Sequence, residues 1–189
     1  RVSGMKPDAA VMVATVRALK AHSGLFKVVA GKPLPPEMLQ ENPEDVRAGA
    51  ANLAKQIENV LAHGVSPVVA INAFPTDFTS EHDVIREIAE SMGARVAVCT
   101  HFSDGGAGAV DLANAVVAAC DEPNNFHFLY EETASLKDKI SAVATKIYGA
   151  AAVEYSDLAN EQLARYDANG FSNLPVCIAK THLSISGDP

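Results

Sequence analysis

Short apolar runs alternate with amphipathic segments along the chain. Residues 9–15 (Ala-Ala-Val-Met-Val-Ala-Thr) are apolar without alternation and predict a strand buried on both faces. Residues 31–43 carry four prolines and predict an irregular, turning stretch. Asn42-Pro43-Glu44-Asp45 then reads as a helix start. Asn caps, Pro takes the first helical position, and two acids face the positive end of the helix dipole. Val46, Ala50, Leu53, Ile57, Val60 and Leu61 form one apolar stripe at helical spacing, and Gly64 ends the helix.

Residues 67–71 (Pro-Val-Val-Ala-Ile) predict the next strand. Ser80-Glu81-His82-Asp83 resembles a capping box, followed by an inward stripe of Val84, Ile85, Ile88, Ala89 and Met92 and a stop at Gly93. Residues 95–99 predict a strand, residues 104–108 a Gly-rich turn, and residues 109–120 a helix with Pro123 beyond it. Further strands are expected at 126–130, 150–155 and 176–179. Between them, Ser135 to Tyr148 reads as a helix with Leu136, Ile140, Val143, Ala144 and Ile147 inward, closed by Gly149. Ser156 caps a helix running to Asn169, and Gly170 ends it.

Strands alternating with helices predict an α/β fold, a mostly parallel sheet of βαβ units in a three-layer arrangement like that of P-loop NTPase or Rossmann proteins. The polar, turn-rich residues 121–125 are the best internal boundary. They divide the chain into an α/β part, 1–122, and a further α/β part, 123–189, with one continuous sheet as the alternative.

The 189 residues are 48% hydrophobic, enough for a real core. The 15 Lys and Arg against 23 Asp and Glu give a net charge of −8, which argues against a general nucleic-acid binder. A local basic pocket for a phosphate or carboxylate stays open. No apolar run approaches the roughly 20 residues that cross a bilayer, so no membrane partner is expected. Cys99, Cys120 and Cys177 fit neither a disulfide framework nor a zinc signature and are expected as reduced, unbridged thiols, with Cys99 and Cys177 in different buried strands, in a cytoplasmic protein. The chain opens Arg1-Val2-Ser3-Gly4 instead of with Met, and it is expected to be a piece excised from something longer.

Ligands of an open parallel sheet bind at the carboxyl ends of its strands. Two loops matter there, residues 72–78 after the second strand and residues 100–108 after the third. Each presents an aromatic ring, Phe74 and Phe102, and two such rings could grip a flat heterocycle. The plainer reading packs each ring under its own loop. The Gly-rich turn could bring backbone N–H groups to an anion, or could be turn geometry alone. It is not Gly-x-Gly-x-x-Gly, and the chain has no Gly-Lys-Ser/Thr. His22, His63 and His82 are expected in solvent. His101 and His182 lie in loops after strands, and no metal site is expected from the spacing of the histidines. Arg17 and Lys20 follow the first strand, and Lys180-Thr181 the last. An ion pair or a solvated face is the default for such residues.

Several strings resemble formate–tetrahydrofolate ligase, in the family's order from end to end. They are Lys6-Pro7-Asp8-Ala9, Val13-Ala14-Thr15-Val16-Arg17-Ala18-Leu19-Lys20, Val69-Ala70-Ile71-Asn72-Ala73-Phe74-Pro75-Thr76-Asp77, Gly105-Gly106-Ala107-Gly108, Lys146-Ile147-Tyr148-Gly149-Ala150 and Leu174-Pro175-Val176-Cys177-Ile178-Ala179-Lys180-Thr181. The resemblance implies an ATP-dependent ligase of one-carbon metabolism. In it MgATP phosphorylates formate, and tetrahydrofolate takes the formyl group from formyl phosphate, giving 10-formyltetrahydrofolate, ADP and phosphate. It also implies a cytoplasmic homotetramer activated by monovalent cations.

The resemblance covers the whole chain but only the middle-to-late third of the family's length. The nucleotide-binding P-loop and the catalytic residues are therefore expected in a preceding part, without which the fold is incomplete and the chain by itself inactive. Within this chain the family's folate-holding aromatics match Phe74 and Phe102, with Pro75, Gly105 and Gly106 beside them. Many family members have Trp where Phe102 stands, which costs contact area and an indole N–H here. The competing reading is a non-catalytic α/β module for ligand binding or oligomerisation.

Overall fold

The computed structural model describes residues 3–29 and 31–179. The chain divides into two units between Phe126 and His127.

The first unit runs β1 (Ala9–Ala14), α1 (Val16–His22), α2 (Pro43–Ala48), α3 (Ala51–Leu61), β2 (Ser66–Asn72), α4 (Thr79–Ser91), β3 (Arg95–Cys99), α5 (His101–Asp104) and α6 (Val110–Cys120). The three strands form one parallel sheet in the order β1-β2-β3. Met12 pairs with Val69 and Val69 with Val96, while Ala14 pairs with Ile71 and Ile71 with Val98. Side chains alternate along a strand, so these residues share one face of the sheet. That face holds the main core, with Val16 and Leu19 of α1, Leu53 and Ile57 of α3, and Val84, Ile85 and Ala89 of α4. Burying each Val, Leu or Ile of this set contributes roughly 1.5–3 kcal/mol. The opposite face, with Val68, Ala70 and Ala97, is buried too. There α6 packs across the strands, and its Leu112, Ala115, Val116 and Ala119 are the less exposed positions. The α/β class and the parallel βαβ arrangement are as the sequence pattern predicts.

The first strand departs from its expected burial. Val11 and Val13 are exposed, Val13 at 70%. Among the described residues β1 is an edge strand, and α6 lies mainly over β2 and β3. The helix expected from Pro43 to Gly64 is two helices. A Cβ at Gly49 would stand 1.7 Å from the Leu19 carbonyl oxygen, so α1 crosses where only glycine fits, and the chain turns there. Leu61, expected inward, is exposed. Asn42 caps α2 as predicted, accepting from the backbone of Glu44 and Asp45. α4 begins one residue before its predicted start, and Glu81 accepts the Phe78 N–H at 3.1 Å.

The second unit carries α7 (Leu136–Ala142), a wide π-helical turn (Val143–Ile147) and α8 (Asp157–Ala168). Ser135 and Ser156 cap the two helices, and Gly149 and Gly170 end their segments at positive φ. None of the strands predicted at 126–130, 150–155 and 176–179 forms. Their backbone groups find other partners. Phe126 N–H donates to the Asn124 side chain, and the Leu129 carbonyl accepts from Lys146. Ala150 N–H donates to the Ala144 carbonyl, and the Tyr155 carbonyl accepts from Asn160. Val176 exchanges both of its backbone bonds with the Tyr130 hydroxyl. Cys177 is accordingly exposed and outside any strand. All three cysteines are free, and Cys99 is the buried one. Leu136, Ile140, Val143, Ala144 and Ile147 are only half-buried, and the fully buried side chain of this segment is Lys139. Its ammonium donates to the Ser172 and Leu174 carbonyls.

Candidate functional site

The register between β2 and β3 sets the geometry. Asn72 pairs with Cys99, and Ala73 N–H donates to the Cys99 carbonyl at 3.1 Å, so the two strands end side by side. Phe74 stands two residues past the end of β2, and Phe102 three residues past the end of β3. Adjacent strands run about 4.8 Å apart, so both loops leave the same edge of the sheet as neighbours.

The first loop is a closed turn. Asp77 accepts the Phe74 N–H at 3.0 Å through Oδ2, and Asp77 N–H donates back to the Phe74 carbonyl at 2.9 Å. The same Oδ2 lies 3.3 Å from His82 Nε2, with the two side chains 2% and 15% exposed. His82, expected in solvent, is therefore part of the loop's support. The guanidinium of Arg17 covers the Phe74 ring, 3.9 Å from its centroid. Its Nη2 donates to Thr76 Oγ1 at 3.1 Å, while its Nε is buried without a partner.

The second loop folds back on its own strand. Thr100 N–H donates to the Gly108 carbonyl at 3.0 Å, and Thr100 Oγ1 donates to Asp104 Oδ2 at 2.7 Å. Gly108 presses so closely on Thr100 that a Cβ would meet Oγ1 at 2.5 Å. Gly105 has φ +59°, and the space around a Cβ at Gly106 is open. His101 Nδ1 lies 3.1 Å from the Cys99 thiol, and His101 itself is exposed. Phe102 is 92% exposed, so it is not packed beneath its own loop. Phe74 is half-buried, and Pro75, Gly105 and Gly106 face solvent.

Lys20, read from sequence as a member of a basic pair, is buried against Glu81. Lys180, Thr181 and His182 lie outside the described residues. Sequence reasoning did not find the stacking of Arg17 on Phe74 or the contact between Asp77 and His82. The Arg17 contact joins α1 to the loop after β2, more than fifty residues apart, and no local spacing announces it.

Two cavities lie elsewhere. One, of about 180 Å³, is walled by Pro7, Ala10, Val60, His63, Val65 and Phe126, with His63 and Phe126 stacked at 6.2 Å. The other, of about 250 Å³, lies in the second unit, where Lys137 donates to Asn160 at 2.7 Å. Among the described residues no group of three or more His, Cys, Asp or Glu is placed to hold a metal ion, and no helix is long and apolar enough to cross a membrane.

A family model described as formate–tetrahydrofolate ligase matches residues 1–189. A formate–tetrahydrofolate ligase of Saccharopolyspora erythraea is 66% identical over 189 residues, covering 100% of this chain and 34% of that protein. Its counterpart in Cutibacterium acnes is 57% identical with the same coverage. One from a Roseiflexus species is 54% identical over 190 residues, again 100% of this chain and 34% of the relative. The chain thus spans about a third of the length of the curated relatives it matches.

Proposed function

The chain belongs to the formate–tetrahydrofolate ligase family, and from that premise we propose that it is part of an ATP-dependent enzyme joining formate to tetrahydrofolate. A formate oxygen attacks the γ-phosphorus of ATP, giving formyl phosphate and ADP. The folate N10 then attacks the formyl carbon, the bond to the phosphate oxygen breaks, and N10 loses its proton. The products are 10-formyltetrahydrofolate and phosphate.

This chain's share is the folate site, with Phe74 and Phe102 as the rings that hold the pterin and Pro75, Gly105 and Gly106 beside them. The observation that carries this reading is the position of the two aromatics at the carboxyl ends of adjacent parallel strands. Holding the folate there would place its amine against a short-lived acyl phosphate, and the rate gain would come mainly from proximity. With no Gly-Lys-Ser/Thr in the sequence, the ATP phosphates and their Mg²⁺ are assigned to the rest of the longer protein. So is any activating monovalent cation. A cytoplasmic homotetramer is the assembly that goes with this family reading.

The test uses the longer protein with Phe74→Ala and Phe102→Ala. Each should weaken tetrahydrofolate binding by roughly 1–3 kcal/mol, the range for a base stacked on an aromatic side chain, and leave the KM for ATP unchanged. If both variants bind folate as the parent does, the slot lies elsewhere and this chain is a module for assembly.

A further inference from the structure

The carboxyl ends of the three adjacent strands present Arg17, Phe74 and Phe102 in that order, one after each strand. We propose that Arg17 is the oxyanion receptor of this site, binding an anionic oxygen of a reactant brought to the Phe74 loop. The proposal rests on the folate-slot reading above and adds to it the residue that meets the ligand's charge.

The other described arginines of the first unit, Arg47, Arg86 and Arg95, each pair with a carboxylate. Arg17 pairs with none among the described residues, in a chain with 23 Asp and Glu. The nearby carboxylates are already committed: Asp77 holds the Phe74 N–H and His82, and Glu81 holds Lys20. A guanidinium carries five N–H donors, and Thr76 Oγ1 takes one of them. The Nε is buried and has no partner. A buried donor left unpaired is rare and marks this guanidinium as held for something other than a bond within the chain, while the side chain as a whole stays only half-buried and reachable. A planar, permanently charged fork favours carboxylate or phosphate oxygens. Stacking on Phe74 and the bond to Thr76 fix the fork in place, so little ordering remains to be done when the anion arrives.

Two sources near the slot carry such an oxygen: formate together with the acyl phosphate made from it, and the glutamate carboxylates of the folate tail. The experiment separates them in the longer protein, with Arg17→Met, Arg17→Gln and Phe74→Ala. The measurements are KM for formate, binding of tetrahydrofolate, and binding of a tetrahydropterin that lacks the tail.

If the oxyanion is formate or the acyl phosphate, Arg17→Met raises the KM for formate by about ten-fold or more, the loss expected of a charge-assisted hydrogen bond, and tetrahydrofolate binds as before. If it is the tail, tetrahydrofolate binding weakens by the same factor while the tailless pterin is unaffected. Arg17→Gln keeps a planar polar group beside Thr76 and is read in the same way should the Met variant not fold. Equal weakening of the tailed and tailless ligands would mean that Arg17 only props the ring, and the proposal fails. It fails as well if every constant stays within two-fold while Phe74→Ala still loses folate, an outcome that leaves the slot standing. If Phe74→Ala also leaves folate binding intact, the slot reading falls and takes this proposal with it.

Discussion

Lys20 of α1 and Glu81 of α4 form an ion pair closed off from solvent, each side chain 1% exposed. Lys20 also donates to the Met38 and Gln40 carbonyls, the latter at 2.6 Å. Glu81 accepts the backbone N–H of Asn42 at 3.0 Å and that of Phe78 at 3.1 Å. One pair thus ties two helices to the proline-rich segment between α1 and α2. Removing one partner leaves a buried charge without compensation, which costs about 3–5 kcal/mol. Lys20→Met and Glu81→Ala should each lower the free energy of unfolding by that amount, read from urea melts as the shift in midpoint multiplied by the m-value. The double variant should lose less than the sum of the two. Strict additivity in a double-mutant cycle would show that the two side chains do not depend on each other.

Acid should destabilise the first unit through Glu122 and Glu87. Hydrogen bonds from Arg95 first, then from Ser66, hold the Glu122 carboxyl below the ordinary glutamate value, and Arg47 does the same for Glu87. A carboxyl lowered in the folded state stabilises it fully above the unfolded glutamate value, about 4.3. That contribution is lost as the pH falls through the lower folded value. Both pairs are exposed and screened by salt, so the effect is small. Thermal melts from pH 6 to pH 2.5 should show the acid limb flattening in Arg95→Met, and in the parent when salt is raised. An unchanged limb would place the acid sensitivity elsewhere.

Two neighbouring glycines should behave differently. A Cβ at Gly108 would sit 2.6 Å from the Thr100 carbonyl carbon, whereas one at Gly106 meets nothing within 4 Å. Gly108→Ala has to push backbone apart and should cost about 1–3 kcal/mol, typical of overpacking. Gly106→Ala should melt within a degree or two of the parent, since an open surface site costs little. Equal melting temperatures for both variants would mean that the loop after β3 does not press on Thr100.

Assayed by itself with ATP, formate and tetrahydrofolate, the 189-residue chain should release no formate-dependent ADP. The sequence supplies no Gly-Lys-Ser/Thr to hold a triphosphate. A coupled assay reading above the buffer blank would reveal a phosphate site built from other residues.

The strands of the first unit and the helices of both were legible because their signals are local. Unbroken aliphatic runs marked β2 and β3, and Asn42, Ser135 and Ser156 marked helix starts. The two aromatics were placed from the rule that ligands sit at strand carboxyl ends. Gly49 was missed because the helical period of Val46, Ala50 and Leu53 continues across it, and the break comes from the Leu19 carbonyl on another helix. The three absent strands are apolar runs of four to six residues, too short for periodicity alone to separate from irregular chain. Lys20 is in an ion pair, one of the two defaults for it, but its burial and that of Lys139 were not anticipated, although their spacing carried a hint. Lys20 stands with Val16 and Leu19, and Lys139 with Leu136 and Ile140, at the three- and four-residue steps of an inward helical face.

The outer rim of β1 has a practical consequence for anyone who isolates the chain. Among the described residues no strand pairs with that rim, and Val11 and Val13 stand bare beside it. Such a rim is a ready template for another copy to zip onto, strand against strand. Solutions of the 189-residue chain should therefore grow larger species as concentration rises, and a lysine in place of Val13 should keep them dispersed.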